Sequence, residues 1–212
     1  MRVRAFTVGP FQENSFLLIR DGSDRAVLID PGDEPDLILG GIEQEGVALD
    51  AILITHTDVD HVGAVAPVAK ATGAPVYCPR LEVDRLRDIM AHAPMPGLGP
   101  YEGYEPEETV EGGERLQLAG FDIDVVFTPG HTEGHVTYGF PDEAVIASGD
   151  VLFQSSVGRT DRPNGDHRTL LRSIATLLER YPDETTVLPG HMGATTLGHE
   201  RATNPFLAEL SR

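Results

Sequence analysis

The chain has 212 residues, of which 40% are hydrophobic, and its 34 acidic and 16 basic residues give a formal net charge of -18. The length supports one sizeable core, so we expect residues 1–212 to form a single domain. The negative charge repels phosphate backbones and anionic lipid surfaces, and neither nucleic acid nor a membrane is an expected partner. The N-terminus lacks the apolar stretch of a secretory signal, and the single cysteine, Cys78, cannot form an internal disulfide. We therefore expect a cytoplasmic protein.

The first third of the chain alternates β-type runs with turn signals, which predicts a strand meander. Its runs are RVRAFTV, SFLLIR and AVLID. Residues 34–45 carry apolar side chains at helical spacing, and AILI at 51–54 predicts a buried strand. A second helix is predicted up to Gly73, followed by the strand APVYC and a third helix at about 81–91. The order helix then strand is typical of an α/β unit.

Residues 92–113 are rich in Pro, Gly and Glu and show no periodicity, which predicts a long loop. Such a loop is either a lid or binding loop, in which Tyr101 and Tyr104 could touch a substrate, or a tolerated surface insertion. Strand alternation resumes in RLQLAGFDIDVVFT, VTYGF and AVIAS, before a helix at about 167–180, the strand TTVL and a helical tail after His199. Because this half repeats the layout of the first, we predict an α/β (α+β) fold in which two β-sheets form a four-layer αββα sandwich.

Four short polar motifs each follow the end of a predicted strand. Their metal-competent side chains are His56, Asp58, Asp60, His61, His131, Asp150 and His191. Ligands at strand ends can converge on one crevice while the sheet sets their spacing. Imidazole together with carboxylate suits zinc, iron or manganese. Seven candidates exceed what one tetrahedral zinc needs, so we predict two divalent ions on the order of 3.5–4 Å apart and hydrolysis by a bridging hydroxide.

These motifs, THTDVDHVG, PGHTEGH, SGD and PGH in this order, resemble those of the metallo-β-lactamase superfamily. Within the superfamily, TVGPFQENSFLL, LIDPG, SGDVLFQSSVGRTD and HMGATTLGHERATNPFL resemble the compact glyoxalase II-like branch, the hydroxyacylglutathione hydrolase-like proteins. The resemblance spans nearly the whole chain. It implies two mixed β-sheets flanked by helices, and hydrolysis of small-molecule thioesters such as S-lactoylglutathione.

The resemblance also implies a role for each matching residue. It places His56 and His131 on a first metal and Asp60, His61 and His191 on a second, with Asp150 bridging. Asp60 is additionally implied to orient the attacking hydroxide.

Position 58 departs from the superfamily, which usually has histidine where this chain has Asp58. An aspartate oxygen reaches as far beyond Cβ as the near ring nitrogen of histidine, so we predict that Asp58 is a ligand. The added negative charge should weaken the polarising power of the first metal and shift the preference from zinc alone toward iron or manganese.

For three other side chains the sequence offers a structural explanation beside the functional one. His135 lies in a turn with two glycines, which favours orienting a ligand over binding metal. Cys78 follows a strand and suits a small buried hydrophobe better than a nucleophile. Arg159 could bind a substrate carboxylate bidentately, and an ion pair with Asp161 is an equal alternative.

The leading hypothesis is a thioester hydrolase. Its thiol stays open, because larger glyoxalase II enzymes hold glutathione with a C-terminal helical domain that this chain is not expected to contain. The alternative is a mononuclear iron enzyme like the persulfide dioxygenases, because His56, His131 and Asp150 make a two-histidine, one-carboxylate set. A binding protein with a decayed metal site is less favoured, as are a nuclease, given the net charge, and an exported β-lactamase, given the absent signal.

Overall fold

The computed structural model describes residues 1–92 and 97–209, which divide into two compact units. The first unit contains residues 1–110 with 117–121, and the second contains 111–116 with the described residues from 122 onward. Parts of the predicted loop, of the predicted helical tail and of the predicted single domain fall on residues 93–96 and 210–212, which lie outside the described residues. The assignment of the whole chain to one domain stays a prediction.

The sheet of the first unit is mixed. Among the described residues its six strands, in spatial order, are β1 (Arg2–Val8), β2 (Glu13–Ile19), β3 (Arg25–Ile29), β4 (Ala48–Leu53), β5 (Val76–Pro79) and β6 (Glu108–Val110). The predicted meander β1 to β3 is antiparallel, and β3 to β6 are parallel. Every residue of β2 is buried. The prediction of a loop was wrong at β6. These three residues, which lie between acidic ones, carry no periodic signal in the sequence, and they form a strand because they pair with β5.

Helices pack on this sheet through their apolar stripes. Those in the described part of the first unit are α1 (Pro35–Glu45), α2 (Val59–Val62), α3 (Val65–Thr72), α4 (Val83–Arg87) and α5 (Ile89–His92). Ile38 of α1 and Val68 of α3 share one core with Leu28 and Ile52 of the sheet. A continuous helix at 81–91 was wrong, because Asp88 has an extended φ of −140° and separates α4 from α5.

The second sheet is also mixed, and its residues belong to the second unit except for 117, 118 and 121. In chain order its strands and those of a small hairpin are β7 (Arg115–Leu118), β8 (Phe121–Phe127), β9 (Val136–Phe140), β10 (Val145–Gly149), β11 (Leu152–Phe153), β12 (Ser156–Val157), β13 (Thr186–Pro189) and β14 (Thr195–Thr196). The sheet order is β14-β13-β10-β9-β8-β7, and β11 pairs with β12. Strand β10 runs parallel to β13 and antiparallel to β9. The two-residue strands were not predicted, because they are shorter than any alternation pattern.

Helix α6 (His167–Arg180) covers this sheet and has the predicted bounds. The Asp166 carboxylate caps it by accepting a hydrogen bond from Thr169 N, 2.7 Å away. Its buried stripe, including Ile174 and Leu177, shares a core with Ile146 of the sheet. Helix α7 (Leu197–Thr203) and a 3₁₀ turn (Pro205–Glu209) follow, so the described tail is helical as predicted. The predicted class, two mixed sheets flanked by helices, is confirmed.

No helix in the described parts of the chain is both long and apolar enough to cross a membrane.

Replacing Leu177 by alanine should lower the free energy of unfolding by about 2–5 kcal/mol, because this fully buried side chain would leave a cavity in the core under α6. Urea unfolding followed by circular dichroism measures the change. The neighbouring Thr176→Ala substitution, at an exposed position of the same helix, is the control and should stay close to the parent protein. Equal losses in both variants would contradict the assigned core.

Candidate metal-binding site

The first unit gathers the residues of the opening motif where two parallel strands end side by side. Asp30 follows β3, and His56 follows β4 by three residues. Helix α2 begins directly afterwards, with Asp58 at its N-cap position and His61 inside it. The rings of His56 and His61 are fully buried with centroids 4.1 Å apart, and His56 Nε2 lies 4.0 Å from Asp58 Oδ2. Three of the four predicted ligands of this motif therefore cluster, and partly buried Asp60 lies on the same short helix.

One carboxylate that the sequence analysis did not select orients both histidines. Asp30 accepts hydrogen bonds from Thr55 N at 2.7 Å, from Thr55 Oγ1 at 2.6 Å and from His61 Nδ1 at 3.0 Å. Because the Thr55 hydroxyl proton goes to Asp30, Thr55 Oγ1 accepts the hydrogen bond of His56 Nδ1, 3.0 Å away. Each imidazole then carries its proton on Nδ1 and its lone pair on Nε2, the form in which histidine binds metal. Asp30 could have been found, since it ends the strand AVLID as the other candidates end theirs.

Two further contacts hold the backbone of the motif. Glu82, 1% exposed, accepts a hydrogen bond of 2.6 Å from Thr57 Oγ1, and so secures the residue between His56 and Asp58. A Cβ atom at Gly32 would lie 1.7 Å from the carbonyl oxygen of Asp60, so no larger residue fits there. The motif is therefore held from both sides by groups outside it.

The second unit gathers the three remaining candidates. His131 follows β8, Asp150 follows β10, and His191 follows β13. Asp150 Oδ2 lies 3.6 Å from His131 Nε2 and also 3.6 Å from His191 Nε2. Asp150 is 7% exposed and His131 3% exposed. One carboxylate oxygen thus stands between two imidazole nitrogens, a geometry that suits a carboxylate shared by two cations.

The backbone fixes the ring of His131. Its Nδ1 donates to the carbonyl oxygen of Arg159 at 2.8 Å, which leaves the lone pair on Nε2. The approach depends on Gly158, where a Cβ atom would lie 1.9 Å from the carbonyl oxygen of Asp150. The segment after Asp150 therefore packs against its neighbours too closely for a side chain at this position.

His135 is fully buried and uses both ring nitrogens within the second unit. Its Nε2 accepts a hydrogen bond from Asp150 N at 3.1 Å, and its Nδ1 lies 3.1 Å from Thr128 Oγ1. An imidazole that accepts at Nε2 carries its proton on Nδ1, so neither nitrogen is available to a metal ion. The prediction that His135 orients a ligand rather than binding metal is supported by this contact with Asp150.

The donor set of each unit fits divalent metal ions. Imidazole Nε2 atoms and carboxylate oxygens lie together in both, and zinc, iron and manganese accept this mixture. The fixed tautomers add to the fit, because Nδ1 is held by Asp30 and Thr55 in the first unit and by a carbonyl oxygen in the second. The assignment of all seven ligands to one dinuclear centre stays a prediction.

The remaining side chains singled out from the sequence have partners of their own. Arg159 makes a two-bond ion pair with Asp161, with distances of 2.7 and 2.8 Å, and these bonds lower the pKa of Asp161 to about 2. The alternative interpretation of Arg159 is therefore present in the structure, and binding of a substrate carboxylate stays a prediction. Tyr104 donates to Glu107 at 2.8 Å. Cys78 is fully buried, as predicted.

A family model for the metallo-β-lactamase superfamily matches residues 8–191. This chain belongs to the metallo-β-lactamase superfamily. Its sequence is 39% identical to the probable metallo-hydrolase YqgX of Bacillus subtilis, across 98% of each chain. It is 36% identical to the hydroxyacylglutathione hydrolase GloC of Haemophilus influenzae, again across 98% of each.

Solved structures agree with the family assignment. The B3 metallo-β-lactamase BLEG-1 superposes with a TM-score of 0.91 at 36% identity, covering 97% of this chain and 99% of that one. TTHA1623 in a di-iron-bound form superposes with a TM-score of 0.86 at 41% identity, covering 97% and 100%. The predicted metallo-β-lactamase fold is confirmed, and the chain is a member of a metal-dependent hydrolase family.

Replacing Asp30 by asparagine should weaken metal binding about 10–100-fold. The carboxylate accepts hydrogen bonds at both oxygens, from Thr55 N at Oδ1 and from Thr55 Oγ1 and His61 Nδ1 at Oδ2, whereas the amide has a single acceptor oxygen and places a donor NH2 at the other position. Competition with a chromogenic chelator measures the affinity, and circular dichroism of the metal-free protein shows whether the variant folds. Asp36→Asn, an exposed acid in the first turn of α1, is the matched control. A folded Asp30 variant with unchanged affinity would refute the orienting role.

Cys78 should resist thiol reagents in the native protein. Burial raises the pKa of its thiol well above the ordinary value, and the nearby Glu82 and Asp30 charges add to the shift, so the thiol stays protonated at about pH 8. Labelling with Ellman's reagent should be very slow in buffer and complete in denaturant. Rapid labelling of the folded protein would show that the thiol is accessible and ionised.

Proposed function

We propose that the chain is a dinuclear metal-dependent hydrolase of small-molecule thioesters, such as S-lactoylglutathione or the ester of a related thiol. The observation that carries the proposal is the position of Asp150 Oδ2 between His131 Nε2 and His191 Nε2, at 3.6 Å from each. Family membership and the relative named hydroxyacylglutathione hydrolase support it. The di-iron neighbour supports the presence of two ions.

The proposed ligands are the seven residues of the four motifs. His56, Asp58 and His131 would hold the first ion and Asp60, His61 and His191 the second, and Asp150 would contribute to both. The ions would be zinc or iron or both, and manganese also suits this donor set. When bound, two divalent ions would polarise the thioester carbonyl and acidify the attacking water.

The chain's own residues orient the reaction. Asp60 lies on α2 and accepts a hydrogen bond from the attacking water, so that its oxygen faces the thioester carbonyl carbon. The carbon–oxygen bond forms first and gives a tetrahedral oxyanion, which then collapses as the carbon–sulfur bond breaks. One proton of the water passes to the departing sulfur, so the products are a carboxylic acid and a thiol. Asp30 and Thr55 act through His56 and His61, whose rings they hold. Arg159 is proposed to bind a substrate carboxylate, for which its ion pair with Asp161 must open.

A cytoplasmic location and an action without nucleic acid or membrane partners stay predictions, as does the ligand role of Asp58.

Protein purified without chelators should contain two divalent ions per chain, with iron or manganese present beside zinc, and should hydrolyse S-lactoylglutathione. Removing the metal should abolish the activity, and adding it back should restore it. Elemental analysis, thiol release with S-lactoylglutathione, oxygen uptake with glutathione persulfide, and nitrocefin cleavage are measured on one preparation. Oxygen uptake without thioester hydrolysis would favour the iron dioxygenase, and nitrocefin cleavage alone would favour a β-lactamase.

The same preparation of Asp58→His tests the changed ligand. Histidine removes a negative charge from the first metal, so the variant should bind a larger share of zinc and hydrolyse the thioester at a different rate. Asp36→Asn removes a carboxylate from an exposed position and should change neither the metal content nor the rate. A metal profile that is identical in Asp58→His and the parent would show that Asp58 is not a ligand.

A further inference from the structure

The hairpin β11–β12 contacts or adjoins all three candidate ligands of the second unit. It begins just after Asp150. The carbonyl oxygen of Arg159, which follows the hairpin, accepts the hydrogen bond from His131 Nδ1 at 2.8 Å. The ring of Phe153, in β11, packs edge-on against the ring of His191, with centroids 5.9 Å apart. The position of the hairpin therefore affects the surroundings of each candidate ligand.

The hairpin is too short to hold its own position. Each strand has two residues, and a two-stranded hairpin without further support is only marginally stable in water. Leu152 anchors the first strand in the apolar core under α6, whereas the turn is exposed and the second strand is only partly buried. Ser155 in the turn also has a backbone φ of 57°, a strained value for a non-glycine residue. The turn and the second strand therefore depend on contacts from outside the hairpin.

The carboxylate of Glu200, in helix α7, provides such contacts. It is fully buried, and its Oε2 accepts hydrogen bonds from Ser155 N and from Asn204 Nδ2, each at 2.8 Å. The Asn204 amide also donates to the carbonyl oxygen of Ser156 at 3.0 Å. The other carboxylate oxygen, Oε1, accepts a hydrogen bond of 2.6 Å from Thr195 Oγ1. One buried carboxylate thus ties the turn and the second strand of the hairpin to α7.

Helix α7 has a separate anchor, which does not involve Glu200. Arg201 forms an ion pair with Asp183 at 3.0 Å and donates to the carbonyl oxygen of Leu178 at 2.6 Å. Burying a carboxylate is costly unless hydrogen bonds replace the lost water. Of the three hydrogen bonds that Glu200 accepts, one comes from the hairpin itself and a second from an amide that also binds the hairpin. Holding the hairpin is therefore the main use of this carboxylate.

We infer that Glu200 is a positioning residue for the candidate metal site of the second unit. It holds the hairpin so that the Arg159 carbonyl oxygen meets the ring of His131. The ring of Phe153 is held against His191 in the same way. The inference rests on the proposed function, because that function makes both histidines metal ligands. Glu200 acts through the hairpin and binds neither ion.

The zinc affinity of two variants tests the role of the hydrogen bonds. Glutamine keeps the shape of the side chain, its oxygen can accept from Ser155 and Asn204, and its amide can donate to the Thr195 hydroxyl. Glu200→Ala should weaken zinc binding by about tenfold, as expected when a group that orients ligands is lost. Glu200→Gln should bind zinc as the parent does. Competition with a chromogenic chelator measures both affinities.

Two results of this comparison would contradict the inference. Equal losses in both variants would show that the charge of Glu200 matters and not its hydrogen bonds to the hairpin. A zinc affinity like that of the parent in Glu200→Ala would show that the carboxylate has no positioning role, while the proposed hydrolysis would stand. A parent protein that binds no divalent ion would instead overturn the proposed function, and this inference with it.

Hydrogen exchange of the metal-free protein, followed by NMR, separates positioning from a general loss of stability. Gly158 N donates to Val151 O at 3.3 Å where the hairpin closes. In Glu200→Ala, exchange of this amide and of the His131 Nδ1 proton should accelerate about tenfold more than exchange of the α6 amides. Arg201→Ala is the matched control, since it removes the other anchor of α7 and should leave both rates as in the parent. Equal acceleration in Arg201→Ala, or throughout the second unit, would overturn the inference.

Asn204→Ala is a milder variant that replaces Glu200→Ala if the latter does not fold. It keeps the hydrogen bonds of the carboxylate with Ser155 and Thr195 and removes the donor to the Ser156 carbonyl oxygen. Its zinc affinity should fall in the same direction, with faster exchange at Gly158. In that case a folded Asn204→Ala protein with the affinity of the parent would overturn the role given to the hairpin.

Discussion

The candidate site of the first unit depends on the hydrogen bonds that the buried carboxylate of Asp30 accepts. Asp30 is 1% exposed and accepts hydrogen bonds from Thr55 and His61, and through Thr55 it also governs His56. A carboxylate so far from water is tolerated when donors surround it, and here the donors belong to the residues that have to be oriented. Asp30 also has a backbone φ of 45°, a strained value for a non-glycine residue. Such strain is common where function constrains the backbone.

In the second unit, different groups orient the candidate ligands. A backbone carbonyl holds His131, and the buried imidazole of His135 accepts the N–H of Asp150. In both units the candidate ligands follow sheet strands, so the sheet sets their spacing, while the hydrogen bonds of neighbouring groups set the orientation of the histidine rings. The hydrogen bonds that Asp30 accepts from Thr55 and His61, and the one that Glu82 accepts from Thr57, hold residues on both sides of Asp58.

Much of the fold could be predicted because strong periodic patterns survive in isolation. The meander, helix α6 and the strands before each histidine motif were predicted close to their final bounds. The failures share one cause, which is the absence of a local signal. Strand β6 and the two-residue strands exist because a neighbour supplies hydrogen bonds, and the helix predicted at 81–91 is interrupted at Asp88. Glu82, which directly precedes α4, is buried and accepts a hydrogen bond from the Thr57 hydroxyl.

The sequence by itself determined which residue types are the candidate ligands, their order and their position at strand ends, because these follow from residue identity and from patterns only a few residues long. It also determined the family, since the ordered motifs extend along nearly the whole chain. Only the tertiary structure decided which groups orient those candidate ligands, since Asp30 and Glu82 lie 25 or more positions in the sequence from the residues whose hydrogen bonds they accept. It likewise decided that His135 is occupied at both nitrogens. Those properties depend on distances between side chains, and no local pattern of residues encodes a distance across the fold.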